Sequence, residues 1–215
     1  IIWKNSYQLL SRFFREAAGG DLRPGITVLV HARVNYSELY GLSLIIDDLD
    51  PSITVGEAEL RKRQTIAKLE SEGLLDRQKE LEMPQLPRRL AVISASSAAG
   101  FGDFRRHLEE NEYGFAFEVT LFEAAMQGDA AAASISDALA AVETSPDGPY
   151  DAALILRGGG SALDLACFDD YDLCFAIANS PLPVLTAIGH DRDYHVADMV
   201  AFDHVKTPTA LADVF

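Results

Sequence analysis

LILRGGGSALDLACFDDYDLCFAIANSPLPVLTAIGHDRD, residues 154–193, decides the fold of this chain. It opens on an apolar run over 152–156, turns through Arg157, three glycines and Ser161, continues as an amphipathic helix, and returns as a second apolar run over 184–188 that ends in Gly-His-Asp-Arg-Asp. Continuous apolar runs of this length, each followed by a polar turn and a helix, are the pattern of parallel strands covered on both faces. In an open parallel sheet, ligands bind beyond the carboxyl ends of the strands, where successive loops converge. Arg157 and His190 are therefore expected to face one space.

The same alternation extends outward on both sides. Strands are expected over 90–93, 115–122, 152–156 and 184–188, with helices near 103–110, 132–142, 171–178 and 191–202. Upstream, 26–36 and 41–51 alternate apolar and polar residues around a short connection, which predicts a β-hairpin in a β-rich segment over 1–54. Between them, 57–82 is rich in Arg, Lys, Glu and Leu and reads as a connecting helix with Gly73 as a stop. Met-Pro-Gln-Leu-Pro at 83–87 then breaks it and marks a boundary. Thr207 and Pro208 offer an N-cap and first position for a new helix.

Composition narrows the class. With 48% hydrophobic and 24% charged residues the chain has enough apolar material for a full core, and no stretch has the roughly 18–20 apolar residues of a membrane span. Nothing in IIWKNSYQLL resembles an export signal, and the expected location is the cytoplasm. Cys167 and Cys174, seven apart, are expected on one helix face as reduced core thiols. The net charge of −15 sits wholly in residues 91–215, where 5 Lys and Arg face 20 Asp and Glu. Taken alone, that balance argues against a nonspecific nucleic-acid binder.

Each expected βα loop ends in polar groups. Ser94, Ser96, Ser97 and Asp103 follow the first strand; Gln127, Gly128 and Asp129 the second; Arg157, Gly158, Gly159, Gly160 and Ser161 the third; His190 and Asp193 the fourth. Glycines before a helix let backbone N–H groups approach an oxyanion, and an arginine fork suits phosphate. RGGGS alone equally describes a tight turn without a ligand. His190 with Asp193 three residues on could move protons near neutral pH, or could be an exposed histidine beside a capping carboxylate. A Mg²⁺ site from His190, Asp193, His195 or Asp164 is conceivable, although no familiar ligand spacing is met.

RGGGSALDLACFDD, PLPVLTAIGHDRDYHVADMVA and the TPTA of 207–210 together resemble the large subunit of exodeoxyribonuclease VII. AVISASSAAGFGDF, YGLSLIIDDLDP and EGLLDRQKELEMPQLPRRLAVIS resemble further parts of that family, so the likeness runs over nearly the whole chain. The resemblance implies an α/β class protein: a partial N-terminal OB-fold gripping single-stranded DNA (1–56), a connecting helix and linker (57–89), a parallel-sheet α/β catalytic domain (90–206), and the start of a C-terminal helical region (207–215). The opening OB strands and most of that helical region are expected to lie outside these residues, as in a truncated core. It implies Asp103, Arg157, His190 and Asp193 as catalytic positions; beside them, Ser97, Gln127, Gly158, Gly159, Gly160, Ser161 and Thr207 are the expected phosphate or DNA contacts of a mechanism built on those four. It further implies hydrolysis of single-stranded DNA from either end to 5′-phosphorylated oligonucleotides, no required cofactor although Mg²⁺ is possible, a small partner subunit, and possible self-association. The loop over 94–104 departs from the family pattern, as do Asp191 and Arg192 where Glu and Thr are common. The other readings open at this point are a noncatalytic phosphate-binding module and a metal-dependent phosphohydrolase of small substrates.

Overall fold

The computed structural model describes residues 1–111, 114–158, 162–189 and 194–215. The chain divides into two compact units, 1–61 with 161–163, and 62–160 with 164–215.

The first unit holds α1 (Lys4–Ala18), β1 (Leu29–Ser37), β2 (Gly41–Asp50) and the beginning of α2 (Ser52–Ser71). The expected hairpin is present: β1 and β2 pair antiparallel from Leu29 opposite Asp50 to Ser37 opposite Gly41, with one irregularity between His31 and Ala32. The expectation of a β-rich start is corrected by α1. Leu10, Phe14 and Ala18 recur every four residues and are buried against Leu49, so the segment hides an apolar stripe only as a helix. Gly19 ends it in the left-handed region at φ 69°, its N–H bonded to the Arg15 carbonyl, a conformation glycine adopts without Cβ strain. This helix and two-stranded sheet are consistent with an OB-like start. Trp3, Tyr36 and Tyr40 are exposed.

The second unit is the α/β body. A 3₁₀ turn at Arg77–Glu80 follows α2, and then come β3 (Arg89–Ser94), α3 (Ala99–Glu109), β4 (Glu118–Glu123), α4 (Ala131–Glu143), β5 (Ala152–Leu156), α5 (Ala162–Leu165), a second 3₁₀ turn (Ala166–Asp169), α6 (Tyr171–Asn179), β6 (Val184–Ala187), α7 (Val196–Val200), β7 (Asp203–His204) and α8 (Pro208–Ala212). The five strands lie in the order β4-β3-β5-β6-β7, all parallel.

Strand alternation assigns the two faces. Ala91, Ile93, Ala153 and Ile155 pack with Ile135, Leu139, Leu173, Ile177 and Val200 of α4, α6 and α7. Leu90, Val92, Leu154 and Leu156 pack with Phe104, Leu108 and Leu211 of α3 and α8. The sheet is thus covered on both faces, as its continuous apolar strands require.

Three expectations shift. The helix expected near 191–202 is described only over Val196–Val200, and the two-residue β7 after it was not anticipated. The segment between β5 and β6 is three pieces rather than one helix, because Asp170 accepts hydrogen bonds from the Asp172 and Leu173 N–H groups and starts α6 afresh. Cys167 consequently sits half-buried in the 3₁₀ turn while Cys174 is buried in α6, so the two free thiols are on separate elements. Among the described residues no helix is long and apolar enough to cross a membrane.

Candidate functional site

The strand order places a topological switch between β3 and β5: the chain leaves β3 toward β4 on one side, and leaves β5 toward β6 on the other. The loops above such a pair diverge and open the crevice that ligands occupy in this class of sheet. The strand ends are tied there by Ser94 Oγ, which donates to the Leu156 carbonyl at 2.8 Å, and by Arg157 N–H, which donates to the Ala187 carbonyl at 2.9 Å. Gly100 of α3, Gly158 and Pro208 of α8 converge above them. A Cβ built on Gly100 would lie 2.9 Å from Pro208 Cγ and 3.4 Å from Gly158 N. Gly100, Gly158 and Pro208, one residue from each of three motifs quoted above, are thereby brought together at the switch point.

Arg157 is buried, 6% exposed, and its Nη1 has no hydrogen-bond partner among the described residues. Burial pulls the guanidinium below its ordinary value, while Cys167 and Asp164 nearby act in the opposite sense. The Arg157 guanidinium pushes back on Cys167, whose thiol burial nonetheless raises to about 11, so it stays protonated at neutral pH. A buried arginine nitrogen with no partner is costly unless something occupies it, and an anion held by the fork would satisfy it.

The other expected residues divide. Asp103 lies in α3, mostly exposed, 3.9 Å from Arg106. Ser97 is exposed in the turn before α3, and Gln127 is exposed in the loop after β4. Thr207 caps α8, its Oγ1 accepting from Ala210 N–H at 3.2 Å and lying 3.1 Å from Thr209 Oγ1, so its oxygen is already engaged in the fold. His190 and Asp193, together with Gly159, Gly160 and Ser161, lie outside the described residues.

Sequence reasoning missed a buried polar cluster directly after the 190–193 segment. His195, weighed above as a metal ligand, is 6% exposed, and its Nδ1 lies 3.2 Å from Asp169 Oδ2. Asp169 Oδ1 also accepts from Val196 N–H at 2.8 Å and lies 3.8 Å from Lys62 Nζ. Lys62 in turn donates to the Tyr194 carbonyl. Asp198 accepts from His195 N–H at 3.1 Å and from the Thr186 hydroxyl at 2.5 Å. The paired Asp169 and Asp170 were the available signal, since one caps α6 and the other is left to face a partner. Among the described residues no three His, Cys, Asp or Glu side chains gather as a metal-holding group.

Residues 74–215 match the family model described as "Exonuclease VII, large subunit". The chain is 36% identical over 213 residues to the exodeoxyribonuclease 7 large subunit of Deinococcus radiodurans, covering 98% of this chain and 51% of that protein. It is 41% identical over 159 residues to the protein of the same name from a Cyanothece species, covering 74% and 37% of the two chains. With the Xylella fastidiosa M23 protein of that name it shares 38% over 196 residues, or 89% and 42%. The chain spans about half the length, or less, of these curated relatives.

Proposed function

The chain belongs to the exonuclease VII large-subunit family, and on that premise we propose that it is the phosphodiester-hydrolysing part of a two-component nuclease acting on single-stranded DNA from either end. The observation that carries this is Arg157, buried at the switch point beside Gly158 and Gly100 with Nη1 unpartnered among the described residues. A fork so placed fits a phosphodiester, and its charge is worth most where phosphorus gathers negative charge in a water-poor site.

Water attacks phosphorus, the P–O3′ bond breaks, and the products are a 5′-phosphate and a 3′-hydroxyl. His190 serves as general acid or base: it takes the proton of the attacking water or supplies the one that O3′ needs. Asp193 orients His190. Asp103, exposed on α3, positions the water. Ser97, Gln127, the glycine-loop amides and Ser161 add phosphate hydrogen bonds, whereas Thr207 shares its hydroxyl with the α8 cap. The reaction so drawn requires no metal cofactor. The small subunit joins through a helical region that follows Thr207, the OB-like unit engages the strand, and the assembly works in the cytoplasm.

The test is digestion of end-labelled single-stranded and duplex DNA by the full-length subunit with its small partner, in EDTA and in Mg²⁺, comparing wild type with His190→Ala and Arg157→Ala. Both variants, folded, are expected to lose single-strand cleavage, and wild type is expected to retain it in EDTA. Cleavage that survives both substitutions would reduce the glycine loop to a ligand cradle or a simple turn.

A further inference from the structure

Resting on that nuclease reading, we infer that His195, held by Asp169, is a general base of the hydrolysis: its Nε2 takes the proton of the water that attacks a phosphate bound at Arg157. Two buried side-chain nitrogens among the described residues have no hydrogen-bond partner, Arg157 Nη1 and His195 Nε2, and each residue is only 6% exposed. A buried polar atom left so costs about 1–3 kcal/mol unless something meets it.

The fold of the second unit sets both residues on one side of the sheet. Strands β5 and β6 are neighbours, with Ile155 opposite Thr186. Side chains alternate along a strand, so Arg157, two positions past Ile155 and still bonded to the Ala187 carbonyl of β6, shares the face of Ile155 and Thr186. On that face the Thr186 hydroxyl donates to Asp198, which also accepts from His195 N–H. One short element, the 3₁₀ turn Ala166–Asp169, then reaches both nitrogens' residues. Its Cys167 is near enough to Arg157 and to Asp169 for both charges to act on the thiol. The Phe168 ring lies 6.2 Å from the His195 ring, and Asp169 Oδ2 lies 3.2 Å from His195 Nδ1.

The two nitrogens are of opposite kinds. A guanidinium only donates, whereas a carboxylate only accepts, so the bond to Asp169 places the ring proton on Nδ1 and leaves a lone pair on Nε2. Asp169 is itself fixed, its Oδ1 accepting from Val196 N–H at 2.8 Å, and Lys62 offsets its charge from 3.8 Å. Hydrolysis brings one reactant for each nitrogen: a phosphate oxygen accepts from Arg157 Nη1, and a water donates to His195 Nε2. The water oxygen forms the new bond to phosphorus as its proton passes to Nε2. The P–O3′ bond breaks, its electron pair stays on O3′, and O3′ takes a proton from the general acid. The imidazolium so formed is stabilised by Asp169 and returns its proton to solvent.

The experiment uses the full-length subunit assembled with its small partner and measures kcat and KM on single-stranded DNA. His195→Ala is expected to lower kcat by about 10²-fold or more, with KM within about threefold. Added imidazole can enter the vacated space as a free base and is expected to raise the kcat of that variant at least about tenfold. Pyrazole, a ring of the same size and a far weaker base, is expected to restore nothing. Asp169→Asn keeps an acceptor for Val196 N–H but turns its amide donor toward Nδ1, which moves the ring proton to Nε2 and removes the lone pair there. Its kcat is expected to fall at least about tenfold. Because its shape is nearly that of the wild type, this variant decides the outcome if the alanine variant does not fold. A folded alanine variant with unchanged kcat, a loss confined to KM, imidazole no better than pyrazole, or Asp169→Asn as active as wild type overturns the assignment of His195 and leaves the nuclease reading intact. Absence of cleavage by the wild-type assembly overturns both.

Discussion

Gly100 stands so close to Pro208 that any side chain at position 100 would have to move a buried ring: its Cβ would be 2.9 Å from Pro208 Cγ, with the Gly158 backbone 3.4 Å away. Real Cβ atoms do not approach that closely, and the Gly158 backbone cannot swing aside as a flexible side chain would. Gly100→Ala is expected to destabilise the chain by about 1–3 kcal/mol through overpacking. In the assembled nuclease it should cut single-strand cleavage by about 10²-fold by moving α3 away from the glycine loop. Gly102, two residues on in the same helix, meets nothing within 4 Å. Gly102→Ala should be neutral or stabilise by about 0.5–1 kcal/mol. Urea unfolding of both variants checks the contrast, and equal losses would mean that the close approach is not what matters.

Gln78 makes a second sharp case. It is fully buried, donates from Nε2 to the Ser180 carbonyl at 2.8 Å, and accepts from Val184 N–H at 2.9 Å. One side chain of the connector thus satisfies the backbone at the entrance to β6. Gln78→Leu leaves a donor and an acceptor buried without partners, at about 1–3 kcal/mol each. A loss of about 2–4 kcal/mol in the unfolding free energy is expected, against less than 1 kcal/mol for Lys79→Gln on the exposed side of the same turn.

Much of this architecture could be read directly from residues. The strands were legible because 90–93 and 152–156 are unbroken apolar runs and 184–188 is interrupted only by Thr186, and the site loops because each run ends in polar residues. The resemblance carried by RGGGS, GHDRD and TPTA reached further, to the family. What escaped was of two kinds. Helix α1 was hidden because Leu10, Phe14 and Ala18 lie among further apolar residues, Tyr7, Leu9 and Phe13, that remain at least partly exposed and blur the helical period. The polar ties of Gln78, Asp169 and Asp198 were hidden because their partners are about 100, 26 and 12 positions away, and no local pattern encodes a contact made by the fold.

The Cys167 thiol predicts how stability responds to alkali. Burial raises it to about 11 from an ordinary 9.0, so in the folded chain it holds its proton over a range where the unfolded chain releases it. The stabilisation is complete below pH 9 and is lost as pH rises from 9 toward 11, at up to about 1.4 kcal/mol per pH unit. Cys174, also raised by burial, acts in the same direction. Tyr171, whose hydroxyl donates to Glu72, is pushed up to about 12 and contributes only above pH 10. Between pH 9 and 10, Cys167→Ala should therefore flatten the fall of unfolding free energy by about 1 kcal/mol relative to wild type. Parallel urea titrations at pH 8.5, 9 and 10 measure it, and identical slopes would place the thiol in contact with water.

Arg157 sets stability against function. A buried guanidinium with an unpartnered nitrogen among the described residues is a cost to the folded chain, and a cost is kept only where something uses it. Arg157→Met retains most of the volume and removes the charge, so the chain is expected to gain about 1–3 kcal/mol of stability, as when buried charges give way to apolar groups. Cleavage of single-stranded DNA by the assembled enzyme should fall by about 10³-fold, because the charge facing the phosphate is gone. Arg157→Lys separates charge from geometry. It keeps the cation without the planar fork, and cleavage is expected to recover only partly, to about 10²-fold below wild type, with the loss in kcat rather than KM. If the methionine variant were less stable than wild type and still cleaved DNA, Arg157 would be holding the glycine turn together rather than waiting for a phosphate.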